Sequence, residues 1–273
     1  MGIGKFDRSN DIKIAALHIL VVDDDELNRR MMKVLLGREG HQVDLAANGM
    51  EALDAVKYQK YDIVFMDLQM PVMDGVNASR RIREWENGNS HTFIVALTAS
   101  YMPEEGQILF EAGLDNYVSK PFEVEHIQRL LKYISDGRRI AQSVASAPAP
   151  ARASGEVLNV HLGVQRVGGD RETYRELLKD FIDELPEKMI GFQRYFSAGD
   201  MPALGRAAHN LKGVSANLGA LELSEYAAAV EKQCNDGYTG ELKGLVLEAK
   251  HMGSRLQEAF AKFLAGANSL ESV

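Results

Sequence analysis

Asp23 and Asp24 follow one short apolar run of the 273-residue sequence, and Asp67 follows another, each where a strand would end. Three carboxylates gathered at one place repel one another unless protons or a cation compensate. A hard divalent cation with oxygen ligands, Mg²⁺ (or Mn²⁺), does so and leaves coordination positions for phosphate oxygens. Thr98 and Lys120 close two further runs and would bring a hydroxyl and a positive charge to the same rim. Such a set suits one chemistry: a carboxylate attacks a phosphoryl group while metal and lysine offset the developing charge.

The elements that must position these residues can be read from the apolar pattern. Leu17–Val22, His41–Ala46, Ile63–Met66, Phe93–Leu97 and Asn116–Val118 have the length of strands. Helical stripes such as Leu27, Met31, Val34 and Leu35 lie between them. Five strands alternating with helices predict a flavodoxin-like, doubly wound (βα)5 sheet in strand order 2-1-3-4-5. Polar residues at the carboxyl ends of its strands would then form the site. Aspartates at strand ends also cap helices, and Asp25 is expected to be such a cap.

Residues 141–156 read AQSVASAPAPARASGE, which has no apolar periodicity and the composition of an exposed linker. The expected division is an N-terminal extension over 1–16, an α/β domain over 17–135, a flexible linker over 136–156, an all-α domain over 157–265 and a tail over 266–273. Four stripes follow the linker: Tyr174 to Phe192 after Asp170, Leu204 to Leu218 after Asp200, Leu223 to Val230, and Leu242 to Phe263. Short polar turns between them predict a four-helix bundle.

On the second of these helices the stripe Leu204, Ala207, Leu211, Val214, Leu218 marks the buried face. At 100° per residue, His209 points roughly 180° away from it and is expected to be exposed. Gly205 and Gly213, four residues to either side, each cost the helix about 1 kcal/mol and leave room for a docking surface. Lys212, at i+3, can reach a phosphate carried on the ring. A neutral imidazole, with a pKa near ~6.5, is an available nucleophile at neutral pH.

Val21-Val22-Asp23-Asp24, Met66-Asp67-Leu68-Gln69-Met70-Pro71, Leu97-Thr98-Ala99 and Ser119-Lys120-Pro121 together resemble the response-regulator receiver domain. The resemblance implies that Asp67 is the phosphoacceptor, that Asp24, Asp67 and the Gln69 carbonyl ligate Mg²⁺, and that Asp23 assists through water. It also implies that Thr98 and Lys120 contact the phosphate, that the bond before Pro121 is cis, and that Tyr117 is the switch aromatic. Gln69 and Ser100 would tune hydrolysis of the acyl phosphate. Ala208-His209-Asn210-Leu211-Lys212-Gly213, continued by Ser215-Ala216-Asn217-Leu218-Gly219-Ala220, resembles the histidine phosphotransfer (HPt) domain. There His209 would carry phosphate, Lys212 would steady it, and Gly213 would keep the ring accessible. The other six histidines are read as structural or idle.

Two acceptors of complementary type imply an intermediate in a multistep phosphorelay, with an upstream histidine kinase and a downstream receiver-domain protein as partners. Whether Asp67 and His209 exchange within one chain is left open, although a 16-residue linker with an r.m.s. span of about 20–24 Å permits it. The formal charge of −8 and the absence of a Lys/Arg cluster argue against nucleic acid. No apolar stretch is long enough to insert in a membrane, and the lone Cys234 suits a reducing cytoplasm. The cytoplasmic part of a membrane-bound sensor is the alternative location. A phosphohydrolase would need Asp-x-Asp-x-Thr, where this chain has Asp23-Asp24-Asp25-Glu26-Leu27. The tail of a hybrid histidine kinase remains compatible, and with no ATP-binding domain visible the chain alone is not expected to use ATP. A silent scaffold is disfavoured by two complete acceptor sets. Dinucleotide binding is disfavoured because Gly2-Ile3-Gly4 precedes no strand-to-helix turn.

Overall fold

In the computed structural model the described residues are 16–98, 103–135, 157–237 and 240–270. Residues 1–15 of the expected extension, the linker and Ser100 lie outside them. The first domain alternates β1 (His18–Val22), α1 (Glu26–Arg38), β2 (Gln42–Ala46), α2 (Gly49–Tyr58), β3 (Ile63–Asp67), α3 (Gly75–Glu86), β4 (Phe93–Thr98), α4 (Pro103–Glu111), β5 (Asn116–Ser119) and α5 (Val124–Ser135). All pairings are parallel, in the order β2-β1-β3-β4-β5. Helices cover both faces, so the inner strands read as continuous apolar runs. Ile19, Val21, Phe65 and Leu97 pack into one cluster, and Leu20, Val22, Met66 and Ala96 into the other.

Register determines which residues meet. Val22 pairs with Met66, which brings Asp23 and Asp67 side by side where β1 and β3 end. Asp67 pairs with Leu97, and Thr98 with Ser119, which leads Lys120 to the same edge. Asp25 caps α1 by accepting from the backbone N–H groups of Leu27 and Asn28, as expected. Gly75 opens α3 directly beneath Asp67, where a Cβ would stand 2.2 Å from the Asp67 carbonyl oxygen.

The second domain comprises α6 (Val160–Arg166), α7 (Arg171–Ser197), α8 (Met201–Asn217), α9 (Leu221–Asn235) and α10 (Leu242–Leu270). The four long helices form the bundle, with Asp170 and Asp200 capping α7 and α8 through their side chains. Tyr174, Phe181, Leu204, Leu211, Val230 and Leu256 build its core. Two residues of the first domain, Leu27 and Met31 on α1, are buried in that same cluster. The domains are thus packed together through α1. Among the described residues no helix is long and apolar enough to cross a membrane.

Candidate functional site

Asp23, Asp24 and Asp67 each offer a carboxylate oxygen, and the three atoms lie within 4.8 Å of one another. Lys120 enters from the β5 side and its buried Nζ donates to Asp23 Oδ2 at 2.7 Å and Asp67 Oδ2 at 2.6 Å. The peptide bond from Lys120 to Pro121 is cis, as the resemblance implied. Asp23 Oδ1 accepts from Asn28 Nδ2 and from the Asp25 backbone N–H. The Gln69 backbone N–H donates to Asp67 Oδ1 at 3.1 Å. Thr98 ends β4 at the same edge, where its carbonyl accepts from the Lys120 N–H at 2.6 Å. Tyr117 is turned inward and packs in a cluster with Leu109, Ala112 and Leu114.

Electrostatics show what the acidic cluster lacks. Burial pushes the Asp23 carboxyl up from an ordinary 3.8 to about 7; Lys120 opposes the rise and Asp67 adds to it. Asp24 is also raised, chiefly by burial, against a hydrogen bond from Asn210. Burial alone would lower Lys120, but Asp23 and Asp67 hold it above its ordinary range. Asp24 Oδ1 is buried without a hydrogen-bond partner. An orphaned carboxylate oxygen beside two further acids is a donor set that fits a hard divalent cation.

His209 corrects the expectation of an exposed ring: it is 5% accessible. Its Nδ1 lies 2.7 Å from Glu231 Oε1 on α9. Lys212 donates to the other oxygen of the same carboxylate. Helical phase predicted one buried face, whereas the second half of α8 has two. Ala207, assigned to the core stripe, is only partly buried, while Ala208, Gly213, Ala216 and Asn217 are buried beside the stripe residues. One face meets the bundle and another meets the first domain. Asn210 Nδ2 donates to Asp24 Oδ2 at 3.0 Å, and Asn217 Oδ1 accepts from the Phe122 N–H at 3.2 Å. A Cβ on Gly213 would lie 3.8 Å from Lys120 Cδ. Gln69 shares a cavity of about 370 Å³ with Gly205, Glu231 and Cys234. The two candidate sites therefore face each other.

Glu231 was missed from the sequence. Burial raises its carboxyl, but the hydrogen bonds from His209 and Lys212 outweigh that and hold it below its ordinary range. A ring nitrogen facing an ionised carboxylate donates, so Nδ1 carries the proton and Nε2 holds the free lone pair. The only sequence signal was an acid on a helix adjoining that of His209.

Residues 19–132 match the response regulator receiver domain family, and residues 176–265 match the Hpt domain family. Signal transduction histidine-protein kinase BarA of Escherichia coli K12 is 26% identical over 81% of this chain and 24% of its own length. Sensor histidine kinase GacS of Pseudomonas protegens is 30% identical over 76% of this chain and 23% of its own. The chain thus spans about a quarter of the length of these curated relatives. Among solved structures, the receiver domain of a Pseudomonas aeruginosa PAO1 sensor histidine kinase, with magnesium in its active-site cleft, is 35% identical. It covers 45% of this chain and 99% of that one, with a TM-score of 0.41.

Proposed function

Because this chain belongs to the two-component signalling proteins, as a response-regulator receiver domain followed by an Hpt domain, we propose that it passes phosphate from Asp67 to His209 within one molecule. A phosphorelay role follows from the two families together. The single observation that carries the intramolecular reading is the docked arrangement, in which Asn210 of the HPt domain bonds Asp24 of the receiver and Gly213 lies over Lys120.

Asp23, Asp24 and Asp67 would hold Mg²⁺, with the Gln69 carbonyl as a further ligand. The ion would neutralise phosphate oxygens and the crowded acids. In the first transfer the Asp67 carboxylate attacks phosphorus of a phosphohistidine donor; an O–P bond forms and the N–P bond breaks. Lys120 already contacts the attacking carboxylate and would pair with the incoming phosphate, and Thr98 would donate its hydroxyl. In the second transfer Nε2 of His209 attacks the same phosphorus, forming N–P as the Asp67 O–P bond breaks. The ring becomes cationic with its proton on Nδ1, where Glu231 balances the charge, and Lys212 steadies the phosphoryl oxygens. Tyr117 would report the state of Thr98 to the surface beyond β4 and β5, with Pro121 shaping the loop that carries Lys120.

The upstream donor is a histidine kinase and the downstream acceptor the aspartate of another receiver. Since the matched relatives are much longer sensor kinases, we place the chain on the cytoplasmic side of such a system. The test uses the full chain with Mg²⁺ and acetyl phosphate, a donor to aspartate. Wild type should acquire an alkali-labile label and then an acid-labile one. Asp67→Asn should lose both, and His209→Gln only the acid-labile one. An acid-labile label on Asp67→Asn, or its absence from wild type, overturns the intramolecular order.

A further inference from the structure

Three ion pairs join the domains along α1 and α7. Lys188 Nζ donates to Asp25 Oδ2 at 3.0 Å. Arg30 pairs with Asp180, and Arg38 with Asp170 and the Thr173 hydroxyl. As residue number rises along α1, the partner's number falls along α7, so the two helices run antiparallel. Leu35 reaches the turn just before α7, its Cδ1 lying 3.4 Å from where a Cβ on Gly168 would be. Between the ionic rungs Leu27 and Met31 enter the apolar core of the HPt domain.

The rungs form a pattern. In chain order the charges at the start of and along α1 read acid, base, base (Asp25, Arg30, Arg38), and those at the start of and along α7 read acid, acid, base (Asp170, Asp180, Lys188), which match when the helices run antiparallel. A reversed approach would set Asp25 against Asp170, and a slip of one turn would separate the arginines from their aspartates. Leu27 and Met31 supply adhesion that many apolar helices could provide. The three charged positions, unlike apolar adhesion, would be mismatched in a helix that carried other charges there. Both arginine pairs are half exposed, so each adds little affinity. Their effect falls on encounter, register and rejection of unmatched partners.

We propose that this antiparallel charge ladder selects the receiver from which His209 takes phosphate, favouring the chain's own receiver over one whose first helix bears other charges at these positions. The inference rests on the relay reading above and names its partner determinant.

The cleanest rung to test is Arg30 with Asp180, because neither caps a helix or touches an acceptor site. In the full chain, labelled on Asp67, the rate at which phosphohistidine appears on His209 is measured for Arg30→Glu, Asp180→Lys and the two combined. Each single reversal should slow transfer about fivefold, and the combined exchange should return it to within about twofold of wild type. Small-angle X-ray scattering at low salt reads docking without any chemistry: the single variants should expand and the exchange should be as compact as wild type. Singles that transfer and scatter like wild type, or an exchange no better than the worse single, overturn the ladder while leaving the relay standing. If wild type labels Asp67 but never His209, the relay fails, and scattering still decides the ladder.

Discussion

Glu231 Oε1 sits 2.7 Å from His209 Nδ1, so a carboxylate on α9 faces the ring nitrogen opposite the one proposed to carry phosphate. In the proposed relay a proton on Nδ1 would leave Nε2 as the nucleophile, and the negative charge would stabilise the ring once phosphorylated. Glu231→Ala should slow labelling of His209 about tenfold or more, while Asp67 still labels normally. Glu231→Gln can still accept from Nδ1 and should recover part of the rate. Wild-type transfer in Glu231→Ala would reduce this contact to a packing role. The same residue links stability to pH. Its carboxyl is held below its ordinary 4.5, so its stabilisation is present above that pH and lost as pH falls through the lower folded value. Urea titrations should show the difference between wild type and Glu231→Gln shrinking below about pH 4.5.

Asp23 has the opposite sign. With a folded value near 7 against an ordinary 3.8, the folded state binds the extra proton across that window, and stability falls as pH rises through it. Asp23→Asn should therefore gain on wild type between about pH 4 and pH 7. Mg²⁺ held by the three acids, as proposed, would offset their charge and should stabilise wild type more at pH 8 than at pH 5.5. Denaturant midpoints with and without Mg²⁺ check both signs; equal Mg²⁺ effects at the two pH values would contradict the account.

Gly213 leaves room that is limited rather than large. A methyl there meets only Lys120 Cδ, at 3.8 Å, an ordinary contact. Gly213→Ala should keep transfer near wild type and stabilise α8 by about 1 kcal/mol. Gly213→Leu should displace Lys120 or the docked receiver and lower transfer to His209 at least tenfold, on the scale expected when reacting groups are misplaced. Thermal melts together with transfer rates separate the two outcomes.

Val72, in the loop between β3 and α3, has φ 68 and is 81% exposed. A β-branched residue is strained in the left-handed region, and at such exposure little packing compensates. Val72→Asn should raise the unfolding free energy by about 1 kcal/mol without moving Asp67. A variant no more stable than wild type in urea would show that the loop holds this conformation at no cost.

The five strands, the acidic triad, the caps at Asp25, Asp170 and Asp200, and the four long helices were legible because each follows from neighbours in the chain. Apolar runs end where the sheet ends, and a carboxylate before a helical stripe finds unpaired N–H groups within three residues. Parallel pairing in the expected order then brings Asp23, Asp67, Thr98 and Lys120 to one edge.

Helical phase failed at His209 because it counts one buried side, and α8 is covered on a second side by the first domain, distant along the chain. Glu231 and the rungs from Arg30 to Asp180 and from Arg38 to Asp170 leave no periodic trace in either segment, since a charge on a solvated helix face looks the same whether or not another helix will meet it. Local sequence thus determined the elements and the chemistry each could host. Docking decided which acceptor faces the other, because contacts between surfaces distant along the chain exist only once both domains are folded.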